Sequence, residues 1–283
     1  MNDKKDKISI TKPYRDGGFG NDSCVSKKIL QFPMIPNKLH YVHLSRAGRQ
    51  WKLHHYLSVK SAFQRGGFEF ITIWVDDEPN GEWWDLTKGM VTLQRVEPPT
   101  EIFGKQITQP AHQSDVIRLQ VLIEEGGVYV DTDTIFVKPF TELFDNKVVM
   151  GQQGVGGSEG LCPAVILSEP NSTFLTQWLM GFRESFGGGP PGSPTWCTHS
   201  VNYPLWLSQQ IPNELTIIHH EAFFWPLYHQ EHIEALFEKD LQFPNAFSHH
   251  LWESSGKKYL DELTIHKIKT EDTTFHKMVR ELL

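Results

Sequence analysis

Hydrophobic residues follow two different spacings along the chain, and each spacing predicts one kind of element. Short runs rich in Val, Ile, Leu and aromatic residues predict buried strands. The strongest of these runs is FEFITIWV, which ends in the polar loop DDEPNG. Strands are predicted over residues 38–44, 68–75, 90–96, 128–130, 148–151 and 164–167.

Hydrophobic residues three and four positions apart predict helices between these strands. The clearest helix spans residues 114–125, where Val116, Leu119 and Ile123 share one face. Ser114 is a suitable N-cap for it, and Gly126-Gly127 ends it. Further helices are predicted over residues 54–63 and 172–182.

Strands that alternate with helices are typical of an α/β fold with a mostly parallel sheet. We expect residues 34–283 to form a single domain, because apolar periodicity begins near Ile35 and continues to the end. Residues 1–33 are polar and lack periodicity, which predicts a flexible N-terminal tail.

Composition narrows the possible partners. The chain is 39% hydrophobic and 22% charged, with a formal net charge of −7, as expected of a globular protein. Binding to a phosphate backbone requires a basic surface, so we expect no nucleic-acid partner. The three cysteines match neither a zinc spacing nor a disulfide framework.

No targeting or membrane segment is apparent in the sequence. The N-terminus lacks the apolar core of a signal peptide, and no run approaches the ~18 apolar residues that a membrane span needs. We therefore expect no transmembrane segment. The expected location is cytoplasmic by default, or the Golgi lumen if an anchor is missing from this sequence.

The candidate functional residues lie where the clearest helix is followed by a short strand. That strand, residues 128–130, runs directly into Asp131-Thr132-Asp133, whose two carboxylates can converge on one hard cation. Open α/β sheets place ligands at the carboxyl ends of their strands. Asp115 and Arg118 lie one turn apart on the helix, and an acceptor beside a donor suits sugar hydroxyls.

The segment SDVIRLQVLIEEGGVYVDTD resembles the signature of glycosyltransferase family 32, the DXD-containing sugar transferases. The pattern is matched at Ser114, Asp115, Arg118, Gly126, Gly127, Tyr129, Asp131 and Asp133. The resemblance extends over about residues 34 to 260. It implies a GT-A type, Rossmann-like domain with a mixed sheet that binds a nucleotide-sugar.

The resemblance also implies roles for individual residues. Asp133 would ligate Mn²⁺ (or Mg²⁺) directly, Asp131 would contact the ribose or sugar and the outer sphere of the metal, and Asp115 and Arg118 would hold the donor sugar. Other donor contacts would come from His40, Tyr129 and Trp252. His250, with His249 as the reserve, would reach the metal or the diphosphate.

The activity implied is transfer of a hexose, with retention of configuration, from a nucleotide-sugar to a glycan, lipid or other hydroxyl acceptor. A UDP-sugar is favoured because the HLW segment is closer to that of the galactosyl and N-acetylglucosaminyl transferases. His199 and Trp196 are candidate acceptor contacts, although a roleless surface histidine and a core tryptophan are open alternatives.

Two other functions remain open at this point. A DXD after a hydrophobic strand also occurs in haloacid-dehalogenase phosphohydrolases, but Ile135 stands where those enzymes need Thr or Val. A non-catalytic sugar-binding or nucleotide-binding protein could keep the same fold, although such a protein would be expected to lose its metal ligands first.

Overall fold

A computed structural model describes residues 34–47 and 50–283 of the chain. The strands are β1 (Lys38–His43), β2 (Phe70–Val75), β3 (Thr92–Arg95), β4 (Glu101–Ile102), β5 (Lys105–Gln106), β6 (Gly127–Val130), β7 (Thr134–Phe136), β8 (Val148–Gln153), β9 (Gly160–Ser168), β10 (Thr216–Ile218) and β11 (Ser248–His250). The helices are α1 (Leu53–Ser61), α2 (Glu82–Thr87), α3 (Pro110–Glu125), α4 (Thr173–Met180), α5 (Phe182–Ser185), α6 (Tyr203–Gln210), α7 (Gln230–Phe237), α8 (Glu253–Asp261), α9 (Ile265–Thr270) and α10 (Thr274–Arg280).

Among the described residues, the central sheet has seven strands in the order β10-β8-β9-β6-β1-β2-β3. Strand β9 runs antiparallel to both of its neighbours, β6 and β8, and the other pairs are parallel. The predicted α/β class with a mixed, mostly parallel sheet is therefore confirmed. Short two-stranded ribbons, β7 with β11 and β4 with β5, lie outside this sheet.

Hydrophobic side chains cover both faces of the sheet. Val128 and Val130 of β6 belong to one buried cluster, whereas Tyr129 belongs to the cluster that includes the apolar face of α3. This alternation follows from the two-residue period of a strand. It places Tyr129 and Asp131, which are two residues apart, on the side of the sheet that α3 covers.

Glycine is required where α3 turns into β6. Gly127 has a φ of 102°, and a Cβ at this position would lie 2.7 Å from the carbonyl oxygen of Lys38. Gly126, with a φ of 64°, would place a Cβ 2.7 Å from the backbone nitrogen of Pro170. The Gly-Gly pair thus lets β6 enter the middle of the sheet directly after the helix.

The predicted elements are present with shifted ends. Helix α3 begins at Pro110 rather than at Ser114, because proline suits the first turn of a helix and its fixed φ allows an earlier start. Helix α4 has Ser172 as its N-cap, where the hydroxyl accepts a hydrogen bond from the Leu175 amide at 3.2 Å. The predicted tail, residues 1–33, lies outside the described residues, so the boundary at residue 34 stays a prediction.

Within the described part of the chain, no helix combines the length and the apolar character needed to cross a bilayer.

Candidate functional site

The two aspartates of the DXD sequence leave the carboxyl end of β6 in a turn. The Asp131 amide donates to the Ala164 carbonyl at 2.9 Å, which extends the pairing of β6 with β9 by one residue. The Thr134 amide donates to the Asp131 carbonyl at 3.1 Å and closes the turn before β7. Both carboxylates therefore lie at the sheet edge where the sequence predicts a ligand site.

A distant segment brings a histidine to these aspartates. Strand β11 pairs antiparallel with β7, opposing His250 to Thr134, and the Leu251 amide donates to the Asp133 carbonyl at 2.9 Å. This pairing holds Nε2 of His250 3.1 Å from Oδ1 of Asp133 and 3.8 Å from Oδ2 of Asp131. The ligand atoms of Asp131, Asp133 and His250 all lie within 4.8 Å of one another.

The structure distinguishes His250 from its neighbour His249. Nδ1 of His249 lies 2.9 Å from the Trp225 carbonyl, and burial lowers the pKa of His249 to about 4. Adjacent residues of a strand point to opposite faces, so only one of the two histidines can face the aspartates. That residue is His250, and His249 packs away from the site.

Asp133 and His250 favour each other's charged forms. Burial opposes ionisation of Asp133, but the His250 imidazole and the Glu253 amide, which donates to Oδ2 at 2.7 Å, hold the carboxyl pKa well below its usual range. Burial likewise favours neutral His250, yet the Asp133 carboxylate outweighs it and raises the pKa of His250. Each group thus stabilises the charged form of the other, and a cation bound to His250 would displace any proton on Nε2.

Arg118 connects the helix to the DXD turn. Its Nη2 lies 3.4 Å from Oδ1 of Asp115 and 3.3 Å from Oδ1 of Asp131, and its Nη1 donates to the Pro163 carbonyl at 2.8 Å. The guanidinium carbon also sits 4.4 Å from the centre of the Tyr129 ring. The guanidinium thus bridges the two carboxylates and fixes their positions.

Tyr129 lies beneath Arg118 and contacts the DXD turn directly. Its hydroxyl donates to Oδ1 of Asp131 at 2.6 Å and lies 3.3 Å from the Ser114 hydroxyl. Oδ1 of Asp131 is therefore occupied by Tyr129 and Arg118. Oδ2 of Asp131 is left on the side of His250 and Asp133.

These residues line a cleft of about 630 Å³. Asp115, Arg118, Tyr129, Asp131, Asp133 and His250 all contribute to its wall, as do the candidate residues Trp196 and Trp252. Trp252 has a left-handed φ of 54°, rare for a non-glycine residue, and its indole nitrogen donates to the Pro226 carbonyl at 3.0 Å. Tyr228 and Glu253 also line the cleft, although no local sequence pattern indicates it.

Two of the candidate residues, His40 and His199, do not line the cleft. His40 is buried on β1 and does not line the cleft, because its ring nitrogens lie 3.0 Å from the Gly126 carbonyl and 3.3 Å from the Trp74 indole nitrogen. His199 is fully buried, so the alternative of a surface histidine is wrong. Its Nε2 lies 3.1 Å from Oδ2 of Asp115 instead.

The sequence of this chain is similar to those of known proteins. Residues 69–152 match the family described as "glycosyltransferase sugar-binding region containing DXD motif". Glucan organizing enzyme 1 of Cryptococcus neoformans var. grubii is 32% identical over 266 residues, which cover 88% of this chain and 71% of that protein.

Solved structures resemble the fold more distantly. PaToxG glycosyltransferase matches with a TM-score of 0.45 and 15% identity, covering 88% of this chain and 87% of that one. The glycosyltransferase GlyE of Streptococcus pneumoniae matches with a TM-score of 0.48 and 12% identity, covering 87% of this chain and 60% of that one.

The match with the fungal relative covers most of both proteins. The region that matches the family contains Asp115, Arg118, Asp131 and Asp133, and the fold brings these four residues to one cleft. The mixed sheet, with its cleft at the carboxyl end of β6, is the GT-A arrangement expected of that family. The chain is therefore a glycosyltransferase and belongs to glycosyltransferase family 32.

Proposed function

We propose that this glycosyltransferase is metal-dependent and transfers a hexose, with retention of configuration, from a UDP-sugar to a hydroxyl group of a glycan or related acceptor. The observation that carries the proposal is the convergence of Asp131, Asp133 and His250 within 4.8 Å at the carboxyl end of β6. Membership of the family sets aside the haloacid-dehalogenase and non-catalytic alternatives.

The ligand atoms of these three residues suit a divalent cation of intermediate hardness. Asp133 offers Oδ1, Asp131 offers the Oδ2 that Tyr129 and Arg118 leave unused, and His250 offers Nε2. Carboxylate oxygens suit Mg²⁺ and Mn²⁺, and the imidazole nitrogen favours Mn²⁺ of the two. A bound ion would neutralise the charge that develops on the diphosphate leaving group.

The protein's own groups would orient the donor around that site. Asp115 and Arg118 form one wall of the cleft and offer an acceptor beside a donor to the hydroxyls of the hexose. Aromatic rings of Trp252 and Trp196 also line the cleft and suit the apolar faces of sugar rings. These contacts support catalysis by positioning and electrostatic stabilisation.

The acceptor class is suggested by the fungal relative. That protein is named for glucan, so a glucan or a shorter glucan-like glycan is the first acceptor to test. A UDP-hexose is the first donor to test, because the sequence His250-Leu251-Trp252 resembles the closing segment of family members that use UDP-sugars.

A thermal-unfolding panel tests the metal and the donor base. UDP, GDP and their hexose derivatives are each added with Mn²⁺, Mg²⁺ or EDTA. Binding to the folded state at 100-fold excess over Kd stabilises it by about 2.7 kcal/mol. We expect a shift with UDP compounds that needs Mn²⁺. A shift with GDP compounds alone would overturn the UDP assignment, and no shift with any nucleotide would overturn the proposal.

Product analysis tests the stereochemistry. Incubation with the donor that shifts the unfolding midpoint and with glucan oligosaccharides should release UDP. The anomeric proton of the product, observed by NMR, should show the configuration of the donor. An inverted product would contradict retention without affecting the metal or donor assignments.

A further inference from the structure

His199 lies in the core beside the donor-sugar end of the cleft. It belongs to the helical turn Thr198–Asn202, directly after the Gly- and Pro-rich loop, and its side chain is fully buried. Nε2 lies 3.1 Å from Oδ2 of Asp115, which is hydrogen-bonding distance. His199 therefore contacts a residue of the cleft without reaching the cleft itself.

The surroundings of the imidazole are otherwise aromatic. The ring centres of Phe182 and Phe186 each lie 4.8 Å from that of His199, and the ring of His112 lies 4.6 Å away. Nδ1 of His199 is buried and, among the residues that the structure describes, has no hydrogen-bond partner. Burying an unpaired nitrogen is unfavourable, so a phenyl ring would pack here at least as well. Packing alone therefore does not explain a histidine at this position.

Asp115 is held from both sides. Arg118 lies 3.4 Å from Oδ1, and His199 lies 3.1 Å from Oδ2, so the plane of the carboxylate is fixed. Burial opposes ionisation, but Arg118 and His199 hold the pKa of Asp115 below its usual range. The carboxylate is thus an ionised acceptor with a defined orientation at the wall of the cleft.

We propose that His199 is a positioning residue for the donor sugar. Its Nε2–H donates to Oδ2 of Asp115 and aims the carboxylate at the hydroxyls of the donor hexose, which makes His199 a determinant of donor affinity and selectivity. This inference rests on the proposed function, since it assigns Asp115 to the sugar half of a nucleotide-sugar.

Two substitutions separate the hydrogen bond from the packing. His199→Phe keeps an aromatic ring in the aromatic pocket but removes the N–H group that donates the hydrogen bond to Asp115. His199→Gln places an amide N–H near the position of Nε2 and so keeps a hydrogen-bond donor for Asp115. A matched control is His276→Phe, because His276 is also buried but lies on α10, outside the residues that line the cleft.

We expect His199→Phe to raise KM for the UDP-hexose by about tenfold or more, the effect of losing one hydrogen bond to a charged group. Its Kd for UDP with Mn²⁺ should stay within twofold of the wild-type value, because UDP lacks the sugar. Its unfolding midpoint should be somewhat lower than that of the wild type, because the buried Asp115 carboxylate loses one hydrogen-bond partner. His199→Gln should recover most of the loss in KM, and His276→Phe should leave KM unchanged.

The outcomes separate the two proposals. If the wild type neither binds UDP with Mn²⁺ nor turns over a UDP-hexose, the proposed function fails, and the positioning role fails with it. If the wild type is active and His199→Phe keeps the wild-type KM, only the positioning role is overturned.

A second measurement covers the case in which His199→Phe does not fold. The ¹⁵N shifts of His199 in the wild type should show a proton on Nε2 and change on Asp115→Asn. A tautomer protonated only on Nδ1 would overturn the proposal.

Discussion

At the scale of single residues, the two aspartates of the DXD turn have different surroundings. Asp133 is buried, and it faces His250 through Oδ1 and the Glu253 amide through Oδ2. Asp131 has a side chain that is 29% exposed and is held by Tyr129 and Arg118 through Oδ1. These contacts favour Asp133 as the direct metal ligand. They leave one oxygen of Asp131 for the cation or for a water molecule bound to the cation.

Substitution of Asp133 tests this difference. Asp133→Asn keeps the shape of the side chain but removes the negative charge, so we expect Mn²⁺-dependent turnover to fall by about 100-fold or more. Turnover is measured as UDP release, and Mn²⁺ binding by calorimetry. Asp145→Asn, at an exposed site outside the cleft, is the control and should be unaffected. Wild-type Mn²⁺ affinity in Asp133→Asn would exclude this residue as a ligand.

The pH dependence of Mn²⁺ binding should report on His250. The Asp133 carboxylate raises the pKa of His250, and the protonated imidazolium cannot ligate a cation. Mn²⁺ affinity should therefore fall as pH decreases through the pKa of His250, by about tenfold per pH unit for one displaced proton. Calorimetry between pH 5 and pH 8 measures the slope. His250→Gln removes the titrating group, and an unchanged slope in that variant would show that another residue is responsible.

At the scale of elements, the site depends on how α3 is followed by β6. Helix α3 carries Asp115 and Arg118, strand β6 leads directly into Asp131, and the Gly126-Gly127 turn brings the two elements side by side. Because Arg118 contacts carboxylates from both elements, their relative position decides the geometry of the cleft.

A glycine substitution tests that connection. Gly127→Ala introduces a Cβ at a φ of 102° and 2.7 Å from the Lys38 carbonyl oxygen, so we expect the free energy of unfolding to fall by about 1–3 kcal/mol. Urea unfolding measures it. Gly89→Ala is the matched control, because its φ is not positive and nothing lies within 4 Å of the added Cβ. A loss in Gly127→Ala no larger than that of the control would mean that the turn tolerates a side chain.

At the scale of the whole molecule, the cleft joins parts of the chain that are far apart in sequence. The Glu253 amide donates to Asp133 across 120 residues, and β11 pairs with β7 just before that contact. A cation held by Asp133 and His250 would therefore cross-link the central sheet to the C-terminal helical region.

Hydrogen exchange tests this coupling. Addition of Mn²⁺ and UDP should slow amide exchange in residues 248–256 as well as in the DXD turn, because the ion would tie β11 and the start of α8 to β6. Exchange in β3, at the edge of the sheet, is the internal reference and should not change. Protection confined to the DXD turn would show that the C-terminal segment does not share the ion.

Local sequence spacing was sufficient for much of this arrangement. The mixed α/β sheet follows from strands alternating with helices, and the joint position of Asp115, Arg118, Tyr129 and Asp131 follows from a helix, a Gly-Gly turn and a strand within twenty residues. Their predicted roles remain predictions, although the fold brings these side chains together. Local spacing predicts the wrong start for α3, because serine is a better N-cap residue than the glutamine that precedes Pro110.

The remaining features depend on long-range packing. His40 is placed by its two ring contacts in the core, and His199 is buried because three aromatic rings close around it. Only the pairing of β11 with β7 decides between His249 and His250. Helical and strand periods act over a few residues and can be read from the chain. The approach of residues 120 positions apart is instead set by which surfaces pack together, and no local pattern encodes it.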